Sequence, residues 1–324
     1  MTAIGYALSS EEHPPKDLVR HAVLAEEAGF EFALISDHFH PWIDRQGESP
    51  FVWTILGALA QATERMRLGT GVTCPILRIH PAIIAQAAAT TAALMPGRFF
   101  LGVGTGENLN EHILGQRWPE WEVRAEMLEE AVAVMRALWT GEVTSHHGRY
   151  FTVENARLYT LADEPPRLYV AGSGSRMGKV AGRIGDGFIG TAPEAEVVDA
   201  FRSSGGDGPR IGQVSLCWAE STAKARRTGH EWWPNVAIHG AASQELPNPK
   251  DFEDLARGVD EDDVAAAMPC GPEPEPVLKA IRAYEQAGYD HVYLHQVGPD
   301  QEGFIRWAQR ELLPAFERVP ATAG

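Results

Sequence analysis

Eight short apolar segments, separated by amphipathic ones, predict a single closed barrel of parallel strands, a (β/α)8 TIM barrel that spans residues 1–324. Most of these segments are uniformly apolar and lack the alternation of half-exposed strands, which is typical of a parallel sheet covered on both faces. The length of 324 residues suits such a barrel with insertions. An open, doubly wound sheet is the alternative, and eight repeats without a clear second domain favour the barrel.

The predicted elements alternate along the chain. The strands are expected at residues 3–8, 32–36, 67–72, 98–103, 168–171, 187–190, 211–218 and 292–295. The helices are expected at residues 16–28, 51–64, 82–94, 121–139, 177–184, from 193 onward, and at 276–287.

Glycine and proline mark several of these helix boundaries. Gly29 follows the first helix, because glycine readily adopts the left-handed conformation that ends a helix. Pro81 opens the third helix, where its missing N–H is not needed. Gly141 closes the fourth, which carries apolar residues at helical spacing. Two stretches break the pattern and are predicted insertions, residues 144–160 and 229–257, the second of which is expected to cap the catalytic end of the barrel.

Composition excludes several classes of protein. The net charge of −16 argues against a nucleic-acid partner. No apolar run approaches the roughly 20 residues of a membrane span, and the N-terminus has no signal-peptide pattern, so a cytoplasmic protein without membrane partners is expected. Cys74, Cys217 and Cys270 are widely spaced and form no Cys-x-x-Cys pair, so neither a disulfide framework nor a metal site is predicted.

The residues that carry chemistry in a barrel lie where strands end and βα loops begin. The second strand ends in SDHFHPW, which places Asp37, His38 and Trp42 there. Histidine is the usual side chain for moving protons near neutral pH, and a tryptophan can lie against a planar ring. The alternative is a loop histidine that a neighbouring carboxylate satisfies, with no chemical role.

Two glycine-rich strand ends add a second signal. Glycines 102, 104 and 106 do not have dinucleotide-binding spacing, and they predict instead that backbone approaches a flat ring closely, with Glu107 beside it. Residues 172–175 open a helix and predict a phosphate cradle at its N-terminus. Arg176 and Lys179 on the first turns of that helix favour this interpretation.

Five motifs in order carry a family resemblance: SDHFHPW, LGTGVTCP, PAIIAQ, RFFLGVGTGENLNE and AGRIGDGFI. Together they resemble the luciferase-like superfamily, most closely its branch that depends on the deazaflavin coenzyme F420. The resemblance runs over residues 4–188 and returns at 276–314. It implies an oxidoreductase that uses F420 on a small-molecule substrate, and a homodimer.

The resemblance also implies roles for individual residues. His38 would be the base that takes the substrate's hydroxyl proton, Glu107 a proton donor or partner near the ring, and Trp42 would shape the pocket. The residues in contact with the cofactor ring would be Asp37, Thr105, Gly106, Asn110 and a cis peptide between Gly71 and Val72. Its phosphate would be held by Ala171, Gly172, Ser173, Gly174 and Ser175.

The chain departs from the sugar-phosphate enzymes of this branch at the residues that hold the phosphate. Those enzymes use lysine and arginine from the loop after strand six and from the late insertion, whereas residues 191–196 here read TAPEAE, 239–244 read HGAASQ and 264–269 read VAAAMP. A dianion facing Glu194 and Glu196 would be bound poorly. We therefore expect a non-phosphorylated alcohol or ketone, with Trp232 and Trp233 as an apolar lid.

Three alternatives stay open at this point. An F420-dependent sugar-6-phosphate dehydrogenase requires that Lys250 or Arg257 supply the missing charge. An FMN-dependent luciferase-type monooxygenase and a cofactor-binding barrel without catalysis are the other two. The presence of both His38 and Glu107 argues against these last two.

Overall fold

The computed structural model describes residues 2–238, 240 and 242–316, and within them eight parallel strands close into a barrel. The barrel strands are β1 (Ala3–Leu8), β2 (Phe32–Ile35), β3 (Arg67–Thr70), β4 (Phe99–Val103), β7 (Arg167–Ala171), β8 (Gly187–Gly190), β9 (Arg210–Leu216) and β10 (His291–Gln296). Their order around the barrel is β1-β10-β9-β8-β7-β4-β3-β2. The closed sheet confirms the barrel and rules out the open sheet.

Helices cover the outside of the barrel and form two excursions from it. They are α1 (Pro15–Ala28), α2 (Val52–Ala62), α3 (Pro81–Leu94), α4 (Asn108–Glu111), α5 (Trp121–Leu138), α6 (Gly174–Ile184), α7 (Ala195–Ser203), α8 (Thr222–Trp232), α9 (Ala242–Glu245), α10 (Pro249–Ala256), α11 (Glu261–Ala267), α12 (Pro274–Gln286) and α13 (Gln301–Trp307). The first excursion, between α5 and β7, is an antiparallel hairpin of β5 (Thr144–His147) and β6 (Thr152–Ala156). Each helix in the described ranges is too short or too polar to cross a bilayer.

The second excursion differs most from the sequence-based expectation. It carries α8 to α11 between β9 and α12, so it begins before residue 229 and ends after 257. Helix α8 was not predicted, because Ala225 and Gly229 are its buried residues and the rest of its surface is polar. Ser221 caps its N-terminus, because the Ser221 hydroxyl accepts a hydrogen bond from the Lys224 N–H at 3.3 Å. We call residues 222–267 the lid.

Smaller differences occur at single element ends. Strand β3 stops at Thr70, immediately before the cis peptide between Gly71 and Val72, and not at residue 72. Helix α6 starts at Gly174, three residues before the expected position. The apolar pattern used for that prediction begins at Met177, whereas the first turn of the helix is formed by Gly174, Ser175 and Arg176.

Side chains fill the inside of the barrel on the N-terminal side of the strand ends. Its apolar cluster contains Phe32, Leu34, Phe100, Tyr169, Ile189, Ile211 and Tyr293. Glycine makes room for the largest of these rings, since a Cβ on Gly69 would lie 2.1 Å from the Phe100 ring and one on Gly5 would lie 2.5 Å from Phe32. The packed interior closes the barrel from one end and leaves space for a ligand at the other.

Two histidines are buried together where the loop after β1 meets α1. The rings of His13 and His21 pack edge to face with their centroids 5.0 Å apart. His13 Nε2 and His21 Nδ1 are buried and have no hydrogen-bond partner in the described part of the chain. Burial lowers the pKa of each to about 4. Both imidazoles are therefore neutral in the folded protein near neutral pH.

We expect this pair to make folding sensitive to acid. Between about pH 6.5 and pH 4, the unfolded chain binds protons at both imidazoles while the folded chain does not, so the free energy of unfolding falls as the pH falls. Above that window, neither state is protonated and the contribution stays constant. His21→Leu removes one of the groups, and urea titrations from about pH 7.5 to 4 should show a shallower fall. His147→Leu, which changes an exposed histidine on β5, is the control, and equal slopes in wild type and His21→Leu would contradict the assignment.

Candidate functional site

A cavity of about 360 Å³ opens at the C-terminal ends of the barrel strands. Of the residues predicted from the sequence, those that line it are His38, Trp42, Gly71, Val72, Thr105, Gly106, Glu107, Ala171, Gly172 and Ser173. Four others are absent from its lining: Asp37, Asn110, Gly174 and Ser175. The closed barrel brings the first set together, because parallel strands end at the same side.

The carboxylate that holds His38 was not predicted from the sequence. Glu11, in the loop after β1, is buried, and its Oε1 lies 3.3 Å from His38 Nδ1. Its Oε2 accepts hydrogen bonds from the hydroxyls of Ser36 at 2.6 Å and Ser9 at 3.2 Å. Burial acts to raise the pKa of Glu11, but the His38 charge and the Ser36 hydrogen bond lower it below its ordinary value. Glu11 is therefore a carboxylate near neutral pH.

The contacts of His38 determine which ring nitrogen carries the proton. Nδ1 faces two acceptors, the Glu11 carboxylate and the His40 carbonyl oxygen at 3.2 Å, so Nδ1 is the protonated nitrogen. Nε2 has no hydrogen-bond partner among the described residues, and the side chain lines the cavity. The ring packs against Trp42 at a centroid distance of 5.1 Å. His38 thus presents a basic nitrogen, fixed in orientation, to whatever occupies the cavity.

Asp37 supports the site from behind and does not face the cavity. Its carboxylate accepts hydrogen bonds from the Thr73 hydroxyl and from Arg78 Nη2, each at 2.8 Å. Arg78 also lies 3.5 Å from Glu111, whose Oε2 accepts the Arg78 backbone N–H at 2.8 Å. Burial raises the pKa of Glu111 to about 7, against the lowering effect of Arg78. This network joins the loops that follow β2, β3 and β4.

Asn110 acts at the same junction. Its side-chain oxygen accepts the backbone N–H groups of Phe39 at 2.9 Å and His40 at 3.2 Å. Its amide nitrogen donates to Glu107 Oε2 at 3.4 Å. One buried amide therefore fixes both the loop of His38 and the carboxylate of Glu107. These contacts give Asn110 a positioning role, and the residue is absent from the cavity lining.

The glycines at the end of β4 allow a close backbone approach. A Cβ on Gly104 would come within 2.9 Å of Val72 Cγ2, and one on Gly106 within 2.5 Å of Cys74 Sγ. Gly106 also has φ of +74°, a left-handed conformation that favours glycine. Val72 and its cis peptide bond to Gly71 lie against this backbone on the cavity wall. These glycines therefore let the backbone after β4 pack directly against Val72 and Cys74, beside Glu107.

The N-terminus of α6 forms the other end of the cavity. Ser173 precedes the helix without a side-chain capping bond, and the Gly174 N–H donates to the carboxylate of Glu194 at 3.4 Å. A helix N-terminus that attracts a carboxylate has the polarity required for a phosphate. Arg176, which was predicted to favour a phosphate here, forms an exposed ion pair with Glu122 of α5 at 3.0 Å.

The lid covers the mouth of the cavity. Its cavity-lining residues are Trp233, Asn235, Val236, Ser243, Gln244 and Phe252. Phe252 packs edge-on against Trp42, with centroids 5.2 Å apart. Trp232, which was expected to act with Trp233, lies outside the lining and under the Arg45 guanidinium. Of the stretch 239–244 that bears on substrate charge, residues 239 and 241 lie outside the described residues.

Lysine and arginine are absent from the cavity lining as the described residues define it. Arg124 lies one layer behind, where its guanidinium bonds to the Pro119 carbonyl at 2.7 Å and to Gln244 at 3.1 Å. Glu11 and Glu107 are the acidic residues of the lining. The charges of the cavity therefore disfavour an anionic group next to the lid, in addition to a phosphate at the α6 N-terminus.

A second histidine–carboxylate pair lies on the other side of the loop after β1. His295, at the end of β10, has Nε2 3.4 Å from Glu12 Oε2 and lines the same cavity. The other oxygen of Glu12 accepts the Gly298 N–H at 2.8 Å. His295 meets the Trp233 ring edge-on at a centroid distance of 4.5 Å. His295 was predicted to end the last strand, but no partner for it was predicted from the sequence.

Known proteins are similar to this chain along nearly its whole length. The family model described as luciferase-like monooxygenase matches residues 1–291. The F420-dependent glucose-6-phosphate dehydrogenase of Segniliparus rotundus is 35% identical over 330 residues and that of Intrasporangium calvum 36% over 332, and each alignment covers at least 98% of both proteins.

A solved structure is similar to the same extent. It is an F420-dependent secondary alcohol dehydrogenase in complex with an F420-acetone adduct, 31% identical, with a TM-score of 0.90 over 98% of this chain and 99% of that one. Since the family model covers most of the sequence and relatives above 30% identity cover nearly all of it, this chain belongs to the luciferase-like monooxygenase family.

Proposed function

We propose that this chain is an F420-dependent oxidoreductase that exchanges a hydride between the coenzyme and a small, non-phosphorylated alcohol or ketone. The observation that carries the proposal is the Glu11–His38 pair, which holds an unpartnered basic nitrogen at the edge of the cavity. Oxidation of an alcohol removes a proton together with the hydride, and this pair supplies the base. The relatives named above support the choice of coenzyme.

The cavity fits F420 at two places. The glycine surface made by Gly71, Gly104 and Gly106 lines the cavity beside Glu107 and leaves room for a planar ring, because no side chain projects from these positions. The N-terminus of α6 at Ser173 and Gly174 suits a phosphate, which would replace the Glu194 carboxylate at the Gly174 N–H. When bound, F420 supplies a carbon that accepts or donates the hydride.

The protein residues would then divide the work as follows. His38 Nε2 takes the proton of the substrate hydroxyl in oxidation and returns it to the carbonyl oxygen in reduction. Glu11 keeps the proton on Nδ1 and stabilises the imidazolium that forms. Trp42 and Phe252 exclude water from the reacting groups, and Glu107 lies beside the expected ring position.

Two further parts of the proposal concern the cell and the assembly. We propose a cytoplasmic homodimer, as the family resemblance implies. Large apolar side chains at the start of α2 and along α3, Phe51, Ile83 and Leu94, are about half exposed, at 53%, 56% and 45%, which is consistent with a covered face. Sedimentation at the 35.4 kDa mass of one chain would contradict the dimer.

The choice of cofactor can be tested by binding. Trp42 and Trp233 line the cavity, so a ring bound there should quench tryptophan fluorescence. We expect F420 to bind much more tightly than FMN, because the glycine surface and α6 N-terminus match the F420-dependent branch. FMN binding of equal or higher affinity would favour a luciferase-type monooxygenase instead.

The role of His38 can be tested against its neighbour in the same loop. His38→Ala should lower kcat by roughly 10²–10⁴ and leave the F420 Kd nearly unchanged, since the side chain moves a proton and does not hold the ring. Glu11→Gln should lower kcat by roughly tenfold to a hundredfold, because an amide cannot stabilise the imidazolium. Glu107→Gln should also slow hydride transfer.

His40→Ala is the matched control for these variants. His40 bonds to the Leu109 carbonyl at 2.8 Å and lies outside the cavity lining, so this variant should keep most of the activity. A loss in His40→Ala as large as in His38→Ala, or a loss of F420 affinity in His38→Ala without loss of kcat, would refute the assignment of the base.

The charge of the cavity predicts substrate choice. A phosphate dianion placed there without cationic partners would cost several kcal/mol, so glucose 6-phosphate should show a kcat/KM far below that of neutral secondary alcohols. Ser243→Lys places a cation on the cavity wall and should raise kcat/KM for glucose 6-phosphate by roughly tenfold, whereas Ser203→Lys, at the exposed end of α7, should not. Efficient wild-type turnover of the sugar phosphate would overturn the neutral-substrate assignment.

A further inference from the structure

The loop that carries the base is held from two sides. Residues 36–51 join β2 to α2, and they include both His38 and Trp42. The first half of this loop is fixed by the barrel, because the Asn110 side chain accepts two of its backbone N–H groups. The second half, from Trp42 onward, is bonded to the lid. Trp42, whose ring packs against His38, therefore lies at the boundary between the two halves.

Two of the contacts between this loop and the lid are exposed. Arg45 pairs with Glu231 and lies 4.8 Å from the centre of the Trp232 ring, and both charged side chains are about half exposed. The Asp44 backbone N–H donates to Glu253 Oε1 at 3.0 Å. Exposed polar contacts contribute little free energy, since water competes for both partners. They therefore hold the lid weakly.

Gln46 makes the buried contact between the loop and the lid. This residue is 2% exposed. Its Oε1 accepts the Trp42 backbone N–H at 2.8 Å, and its Nε2 donates to the Trp232 carbonyl oxygen at 3.0 Å. Trp232 is the last residue of α8, where helix carbonyls have no partner inside the helix. A side-chain amide carries both the acceptor and the donor that these backbone groups require, so Gln46 joins the backbone of Trp42 to the end of a lid helix.

Trp42 links Gln46 to the base. The Trp42 ring lies 5.1 Å from the His38 ring and 5.2 Å from the Phe252 ring, measured between centroids. It also packs against two apolar clusters that include lid residues, one with Trp233 and one with Phe252. Trp42 and His38 line the cavity, whereas Gln46 is absent from the lining that the described residues form. Gln46 therefore acts on bound substrate through Trp42 and the lid.

We propose that Gln46 is a positioning residue that couples the lid to the base. With the lid in place, the Trp232 carbonyl orients the Gln46 amide, the amide holds the Trp42 backbone, and the Trp42 ring stays against His38. Without this coupling, the Trp42 ring moves away from His38 and water reaches the basic nitrogen. The inference rests on the proposed function, because His38 is the base of that reaction.

Two variants of Gln46 test the coupling. Gln46→Met keeps the length of the side chain and loses both hydrogen bonds, whereas Gln46→Asn keeps the amide but is too short to reach both partners. Each should lower kcat roughly tenfold, the value of one well-placed hydrogen bond, and leave the F420 Kd unchanged. Gln86→Met, which changes an exposed glutamine of α3, is the control and should keep the wild-type kcat. A wild-type kcat in Gln46→Met, or in Gln46→Asn if the first variant does not fold, overturns the proposal.

A double-mutant cycle separates the coupling from a loss of stability. Phe252→Leu removes the lid ring that packs against Trp42. If Gln46 acts through the lid and Trp42, Gln46→Met should lower kcat by less than about threefold in the Phe252→Leu protein, against roughly tenfold in wild type, because the two changes then remove one shared effect. The full loss in both backgrounds means two independent effects, and it contradicts the coupling.

Hydrogen exchange makes the test independent of turnover. The Trp42 backbone N–H is protected by its bond to Gln46, so its exchange should be faster in Gln46→Met and unchanged in Gln86→Met. Phe252→Leu leaves Gln46 in place, and it should also speed exchange at Trp42 if the lid holds this loop. Unchanged exchange in Phe252→Leu overturns the coupling. If no alcohol reduces F420 with the wild-type protein, the proposed function fails, and exchange at Trp42 alone then decides whether the lid and the loop are coupled.

Discussion

Two consecutive carboxylates in one loop determine how the cavity is built. β1 lies between β2 and β10 in the barrel, so side chains from the loop after β1 reach both neighbours. Glu11 contacts His38, after β2, and Glu12 contacts His295, at the end of β10. Each histidine then packs against a tryptophan, Trp42 or Trp233. The orientation of both polar centres depends on this loop, because a free imidazole would rotate between acceptors.

The residues around these centres form two groups: one lines the cavity, and the other lies behind it and holds the loops. Backbone and small side chains that follow β3 and β4 and that end β7 face the cavity, whereas Asp37, Arg78 and Glu111 lie behind and tie the loops together. Removal of one partner from such a buried ionic network leaves an uncompensated charge, so its members are costly to replace although they touch no ligand. These three residues therefore act on the site by holding its loops in place.

In the proposed function, charge governs which ligands the cavity accepts. The chain carries a net charge of −16, and the described cavity lining contains no lysine or arginine. The N-terminus of α6 is the place where backbone amides and the helix dipole favour an anion. One phosphate can therefore be held without side-chain cations, while a second anion under the lid has no partner. This arrangement is the basis of the proposed preference for a non-phosphorylated substrate.

The sequence by itself determined the eight strands, because uniformly apolar segments of this length have few other places in a protein, and it determined the strand-end residues His38, Trp42 and Glu107 as neighbours. It did not determine helix α8, whose buried surface is small, nor that Asp37 and Asn110 turn away from the cavity. The partnership of Glu11 with His38 and of Glu12 with His295 was decided by tertiary structure alone. These pairs join residues 27 and about 280 positions apart, and only closure of the barrel brings β10 beside β1.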